Sequence, residues 1–410
     1  MVALSYRAFR DEPEDHVAFQ TLERTGFGTP DDHIGRWKAA IGPQEIRFAE
    51  VDGTPAAMGS WIDMGYRIGG TAVGCGGITA VNVGTTYRGS GVGRFLMESM
   101  IAEAAGRGWP IVSLYASTPA FYRKVGFEIA GWYTSYDAPV ANFVLPQHKE
   151  DQDVEVRPLR TPAYREGPPS PELIDQVAPL YDGALGCRAG GVQASRFGWW
   201  GRLQKNGEAL DGVMVEGDNG IEAYATLDLR ATRGTLVLAG WSATTRRGLR
   251  ALAHWIAGFR SIFDTVTWRD APNSPLALLI PDRGYTCKEI DPVLVRVVNV
   301  EALLKARGYP VTASAKLGIA VEDPVLPNNS GGYLLRIEAG QVAQLDRFPA
   351  GYVIDAPMIT IGPRGLAGLL SGGTSAAMLH LLNLVEGNPA ALAIADGLFS
   401  GPLPGTSDHW

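Results

Sequence analysis

Apolar and polar positions alternate between two periods over the first 145 or so residues, as strands and helices taking turns would make them. Ile46–Val51 is expected as a strand, and Ala56–Asp63 as its hairpin partner across the turn residues Asp52-Gly53. Gly76–Val83 is the next expected strand. Val92, Phe95, Leu96, Ser99 and Met100 then recur at helical spacing, giving one apolar face of a helix that should end near Gly106 and Gly108, before Pro110. Ile111–Ala116 follows as a buried strand. Ser117-Thr118-Pro119 can open a short helix that Gly126 would close, and Phe127–Trp132 returns as a strand.

Lys149–Pro171 is rich in charge and proline and is expected as a linker or domain edge. A second alternation follows. Glu222–Asp228 and Thr235–Leu238 are expected strands, Arg247–Phe259 a helix and Thr265–Trp268 a further strand. From about residue 300 the pattern shifts to short antiparallel strands at Leu317–Val321, Gly332–Ile337 and Gln341–Leu345, then helices at Pro363–Ser371 and Ser375–Leu384. The whole is an α/β (α+β) chain in three parts, 1–147, 148–298 and 299–410.

Between the strand ending at Val83 and the helix beginning at Val92 lies Arg88-Gly89-Ser90-Gly91-Val92-Gly93-Arg94. Three glycines at alternate positions bare backbone amides where a helix starts, which is how a chain holds a phosphate with few side-chain charges. An echo occurs later: Thr85-Thr86-Tyr87-Arg88-Gly89 is matched by Thr244-Thr245-Arg246-Arg247-Gly248. Such an echo suggests a duplicated domain. The second copy has Leu249, Arg250 and Ala251 where more glycines would be needed, so its cradle is expected to be lost.

Composition narrows this picture. At 410 residues the chain exceeds one ordinary core, and its 46% apolar and 19% charged residues are those of a globular protein. A net charge of −7 makes nucleic acid a poor partner and suits a cationic substrate. Cys75, Cys187 and Cys287 have no ligand spacing, and the six histidines are scattered, so neither a metal site nor a disulfide framework is expected. No apolar run is long enough to span a membrane and no leader is evident, which points to the cytoplasm.

The order strand, Arg-x-x-Gly-x-Gly, helix, strand, short helix with Tyr122 resembles the GCN5-related N-acetyltransferases (GNAT). The resemblance narrows to their Eis (enhanced intracellular survival) branch. Pro281-Asp282-Arg283-Gly284-Tyr285 and Leu294–Val300 resemble the end of that branch's second, degenerate GNAT domain. Val321-x-Asp323-x-x-Leu326-Pro327-x-Asn329 and Ala393-x-Ala395-Asp396-x-Leu398-Phe399 resemble its sterol-carrier-protein-like third domain. The resemblance implies acetyl transfer from acetyl-CoA to primary amines of aminoglycosides, polyamines or lysine side chains, by a homo-hexamer.

By the same resemblance Arg88, Gly89, Ser90, Gly91, Gly93 and Arg94 hold the pyrophosphate of the cofactor. Val81, Val83 and Ser117 lie along its pantetheine arm. Tyr122 is the general acid toward the departing thiolate, and the C-terminal carboxylate of Trp410 is the general base. An α-carboxyl is an ordinarily weak base, of pKa about 3.3–3.7. An aromatic last residue would anchor an end that otherwise frays. Trp37 and Asp31 are expected to meet the substrate's ammonium group, with an aromatic face and a carboxylate. Asp408 is a third candidate there. It precedes His409, where the family tends to have an acid, and that departure leaves aminoglycoside specificity open. Other acyl-CoA donors, or a lipid- or CoA-binding regulatory protein on the same scaffold, are the alternatives.

Overall fold

The computed structural model describes residues 3–148, 153–161, 169–185, 190–193, 196–205, 208–229, 234–282, 284–349, 351–352 and 354–410. Cys187, Arg283, and the parts 149–152 and 162–168 of the proline-rich segment lie outside the described residues. The chain forms two compact units: Met1–Ala130 with Val293–Gly401 and Trp410, and Gly131–Pro292 with Pro402–His409.

The first unit begins with β1 (Leu4–Ala8), α1 (Pro13–Phe27), α2 (Asp31–Ile41), β2 (Ile46–Val51), β3 (Thr54–Ile68), β4 (Thr71–Val83), α3 (Val92–Gly106), β5 (Ile111–Tyr115) and α4 (Pro119–Arg123). Strands β1 to β4 are antiparallel neighbours, β4 pairs parallel with β5, and Val293–Val297 closes the row against β5. The hairpin turn falls at Asp52-Gly53, both with positive φ. Alternation along β2 and β3 sends Phe48 and Met58 to one face, where Phe19, Leu22 and Ile34 of α1 and α2 cover them. It sends Ala49, Ala57 and Trp61 to the other, against Leu96, Met97 and Met100 of α3.

The same unit holds a second sheet of five strands, in the order Gln341–Phe348, Gly331–Glu338, Ala315–Val321, Met358–Ile361 and Val385–Gly387. Its helices include Pro363–Leu370, Ala376–Leu381 and Pro389–Phe399. Arg296, in the strand beside β5, is fully buried and makes a two-pronged bond to Asp323 at 2.7 Å. That carboxylate also accepts from Asn329 and from the amides of Val325 and Leu326. A buried ion pair whose remaining lone pairs are filled in this way ties the two sheets of the unit together.

The second unit is built on a sheet running from β6 (Glu128–Pro139) through Thr265–Asp270, Thr235–Ala243, Gly220–Asp228 and Asp211–Gly217 to β7 (Glu155–Arg160). Helix α5 (Pro171–Leu185) packs Tyr181 and Leu180 with Tyr224 on one face, and Arg246–Ala257 packs Leu252 and Ile256 with Ala223 and Ala225 on the other. One expectation is corrected. The segment read as a linker contains the edge strand β7, paired to Asp211–Gly217. The compact units divide at Ala130/Gly131, and Thr134–Pro139 of β6 pair with Thr265–Asp270.

Candidate active site

The site is made where β4 and β5 part. Their parallel register covers only Cys75↔Ile111, Gly76↔Val112 and Gly77↔Ser113, yet β4 runs on to Val83 and β5 to Tyr115. A bulge helps to turn β4 aside: Ser60 faces Thr79 and Met58 faces Asn82, so Ala80 and Val81 stand opposite one residue, and Ala80 has φ 53°. Two strands that diverge leave unpaired N–H and C=O groups facing a gap. A cleft of about 610 Å³ opens there, with Val81 and Val83 on one side and Ser117, Thr118, Phe121 and Tyr122 on the other.

At its mouth lies the glycine loop. Thr85–Tyr87 forms one tight turn, and Gly89 and Gly91 then take φ of 82° and 92°, which glycine alone adopts without strain. The helical ladder begins with the Phe95 amide donating to Gly91 at 3.1 Å. The amides of Gly93 and Arg94, and that of Val92, which makes only a long 3.4 Å bond to the Ser90 hydroxyl oxygen, therefore come before any intrahelical acceptor. Ser90 closes the turn, its hydroxyl donating to the Tyr87 carbonyl at 2.7 Å. Gly93 is needed for space: a Cβ there would lie 2.9 Å from Val83 Cγ2. Arg88, Arg94 and Lys124, all exposed, bring positive charge to the lining. Bare amides, a helix N-terminus and three cations suit the phosphates of a coenzyme A.

Tyr122 sits deeper, 9% exposed, with Phe121 and Phe127 edge-on at 5.0 and 5.9 Å. Burial pushes its phenol up to about 12. Among the described residues none hydrogen-bonds its hydroxyl. Its helix α4 is held by Glu128, which accepts from Arg123 at 2.9 Å and from Arg364 at 2.8 Å.

Trp410 lies at the vertex of the gap. Its ring is 4.6 Å from that of Tyr115, its indole N–H points to the Ser113 carbonyl at 3.4 Å, and only glycine at 77 leaves room for it. The cofactor candidates Val81, Val83, Arg88, Gly89, Gly91, Gly93, Arg94 and Ser117 are thus brought together with Tyr122, Ser90 standing just behind them.

The substrate candidates scatter. Asp31 is exposed in the first turn of α2, and Trp37 is half-buried, stacked on Phe19 at 6.2 Å. Asp408 is a correction. It is 8% exposed in the second unit, and its carboxylate accepts from Arg202 Nε at 2.6 Å and from the Tyr181 hydroxyl, so its charge is already neutralised. Sequence reasoning missed Lys124 and Thr118, which no spacing marks. It also missed Glu23, a buried carboxyl on α1 that burial pushes up to about 7 despite a hydrogen bond from Thr29.

In the second copy, Thr245 caps a helix that begins at Arg246, so positions matching the three residues that form the loop after Arg88 are absorbed into helix after Arg247. Arg247 turns back onto Glu222, with Nε 2.9 Å from its carboxylate. A Cβ at Gly248 would meet the Glu222 carbonyl at 3.0 Å, which leaves no space for a phosphate. Among the described residues no cluster of three or more His, Cys, Asp or Glu side chains is placed to hold a metal ion, and no helix is long and apolar enough to cross a membrane.

Comparison with known proteins agrees with this anatomy. Acetyltransferase (GNAT) domain families match residues 1–130 and 192–297, and a sterol carrier protein domain family matches 300–407. An uncharacterized N-acetyltransferase from Streptomyces avermitilis is 28% identical over 356 residues, covering 82% of this chain and 81% of the relative. Another, from Streptomyces coelicolor, is 24% identical and covers 90% of this chain and 88% of its own. The crystal structure of a GCN5-related N-acetyltransferase from Anabaena variabilis superposes with a TM-score of 0.88 at 24% identity, covering both chains in full. That of an Eis protein from Mycobacterium abscessus gives 0.76 at 21% identity, covering 99% of this chain and 100% of its own. At these identities the structural likenesses speak to the fold.

Proposed function

For a chain that belongs to the GCN5-related N-acetyltransferases, in their three-domain Eis-like form, we propose direct acetyl transfer from acetyl-CoA to a primary amine of an aminoglycoside, a polyamine or a lysine side chain. The observation that carries the mechanism is Tyr122, whose hydroxyl has no partner among the described residues and which lines the same cleft as the glycine loop. When bound, acetyl-CoA supplies an electrophilic thioester carbonyl and a thiolate leaving group. The amides ahead of Phe95, with Arg88, Arg94 and Lys124, hold the phosphates. The free edge of β4 at Val81 and Val83 orients the arm along the gap.

Tyr122 keeps its proton at neutral pH, because burial holds the phenol near 12. An ordinary thiol titrates at ~8.5, so full transfer to a thiolate would run uphill by roughly 5 kcal/mol. The hydroxyl therefore works as a general acid by hydrogen-bonding the charge that grows on sulfur as the C–S bond breaks. The amine must give up a proton as it attacks, and the carboxylate of Trp410 accepts it. Trp37 and Asp31 are the proposed contacts for the incoming ammonium group, and a cytoplasmic homo-hexamer is the proposed working form. Adding one glycine after Trp410 moves the carboxylate and tests the base. The expected result is a kcat lowered by about 100-fold or more with KM for acetyl-CoA unchanged. Wild-type turnover in that variant would refute the assignment.

A further inference from the structure

Chain ends ordinarily fray, but in the second unit the final segment is built in. Pro402 and Leu403 are exposed; Pro404, Gly405 and Thr406 are buried. Gly405 and Thr406 add a short parallel strand beside Trp132 and Tyr133 of β6. The fit is close: a Cβ at Gly131 would meet Pro404 at 3.2 Å, and one at Gly405 would meet Pro272 at 2.2 Å. Asp408 then enters an aromatic box. The Arg202 guanidinium lies 3.5 Å over the Tyr181 ring and 4.9 Å from that of Trp199, and it bonds the Asp408 carboxylate. Arg202 is 5% exposed. Tyr181 donates to the same carboxylate, and Thr406 accepts from the Asp408 amide at 3.0 Å.

We propose that the second unit, which lacks a phosphate cradle of its own, is the receptor for the final segment, and that Arg202 is a positioning residue that fixes the register of Trp410. The proposal rests on the reading that Trp410 takes part in acetyl transfer.

A buried ion pair is a poor source of raw stability, because desolvation offsets its attraction; its attested use is to fix register. The neighbours of Asp408 make that use concrete. A slip of one residue would bring Ser407 or His409 to the guanidinium, and a hydroxyl or an imidazole leaves that buried cation without its anion. Only one register satisfies Arg202. Residue 410 follows the clamped residue by two, a tether of roughly 7 Å at most.

The test separates holding from catalysis. Arg202→Met removes the partner of Asp408 and should release residues 404–409 to water while the unit stays folded. Hydrogen exchange of residues 404–409 should speed up by roughly tenfold or more. On spermidine, kcat should fall by about 10- to 100-fold while KM for acetyl-CoA stays put. Arg202→Met with Asp408→Leu puts an apolar side chain into the aromatic box and should restore both protection and turnover in part. That rescue is beyond what a merely destabilised domain would give, and it keeps the test valid if the single variant folds poorly. Unchanged exchange in Arg202→Met would overturn the clamp. Faster exchange with wild-type kcat would overturn the positioning role. The glycine-extended protein reports separately on the base: its full activity beside a slowed Arg202→Met variant would reject the carboxylate and leave the clamp acting through the indole.

Discussion

Replacing Gly91 with alanine isolates what the loop's geometry contributes. Gly91 has φ 92°, and a Cβ built there meets nothing within 4 Å. The change therefore introduces no clash and removes no contact, and its whole cost is torsional. For an L-residue in left-handed backbone that cost is about 1–2 kcal/mol. If the loop keeps its shape without ligand, the cost appears as lost stability. If it relaxes, the shape must be rebuilt on binding, and KM for acetyl-CoA rises about 5- to 30-fold. Either way the two effects should sum to about 1–2 kcal/mol, and kcat at saturation should stay near wild type. Gly106→Ala is the control: it lies in the last turn of the same helix with equally open space, and should be neutral or stabilising by up to about 1 kcal/mol. Thermal melts and initial rates over a range of acetyl-CoA decide the matter. Gly91→Ala with both unchanged would refute the role given to the loop.

Other expected outcomes follow from single features. Tyr122→Phe should lower kcat by about 100- to 10,000-fold and leave acetyl-CoA affinity intact by calorimetry; because the phenol titrates near 12, the wild-type pH profile should show no loss from this group below about pH 11. Arg88→Ala should raise KM for acetyl-CoA, whereas Arg247→Met should not, since Arg247 is spent on Glu222. Glu23 is a carboxyl whose folded pKa of about 7 lies above its ordinary 4.5, so the folded state holds a proton that the unfolded chain has released. Stability from this group is present at low pH and falls as pH rises from about 4.5 to 7, by about 3 kcal/mol in all. Glu23→Gln should flatten that fall in urea midpoints taken at pH 5 and pH 8, and an unchanged slope would assign it elsewhere.

The loop was legible because its demand is local: positive φ at Gly89 and Gly91 and tight space at Gly93 call for glycine whatever the rest of the chain does. Helix α3 and the hairpin around Asp52-Gly53 were legible for the same reason. The gap between β4 and β5 was not, because it depends on which strand each one leaves and on a bulge at an alanine. The start of β4, Thr71–Cys75, was not legible, and the expected strand began only at Gly76, where in the sheet a Cβ would strike Trp109 at 2.4 Å. Strand β7 was hidden by Pro158, which an edge strand tolerates and an interior strand does not. Arg202 and Asp408 stand 206 positions apart, and only folding makes them partners.

The most direct measurement of the central claim is mass spectrometry of products after incubating the 410-residue protein with acetyl-CoA and, in turn, an aminoglycoside, spermidine and a lysine peptide. The account requires at least one of these to gain an acetyl group on a primary amine, with free coenzyme A released in equal amount, and requires Tyr122→Phe to suppress that product. Coenzyme A released by hydrolysis alone, with none of the amines acetylated, would contradict it.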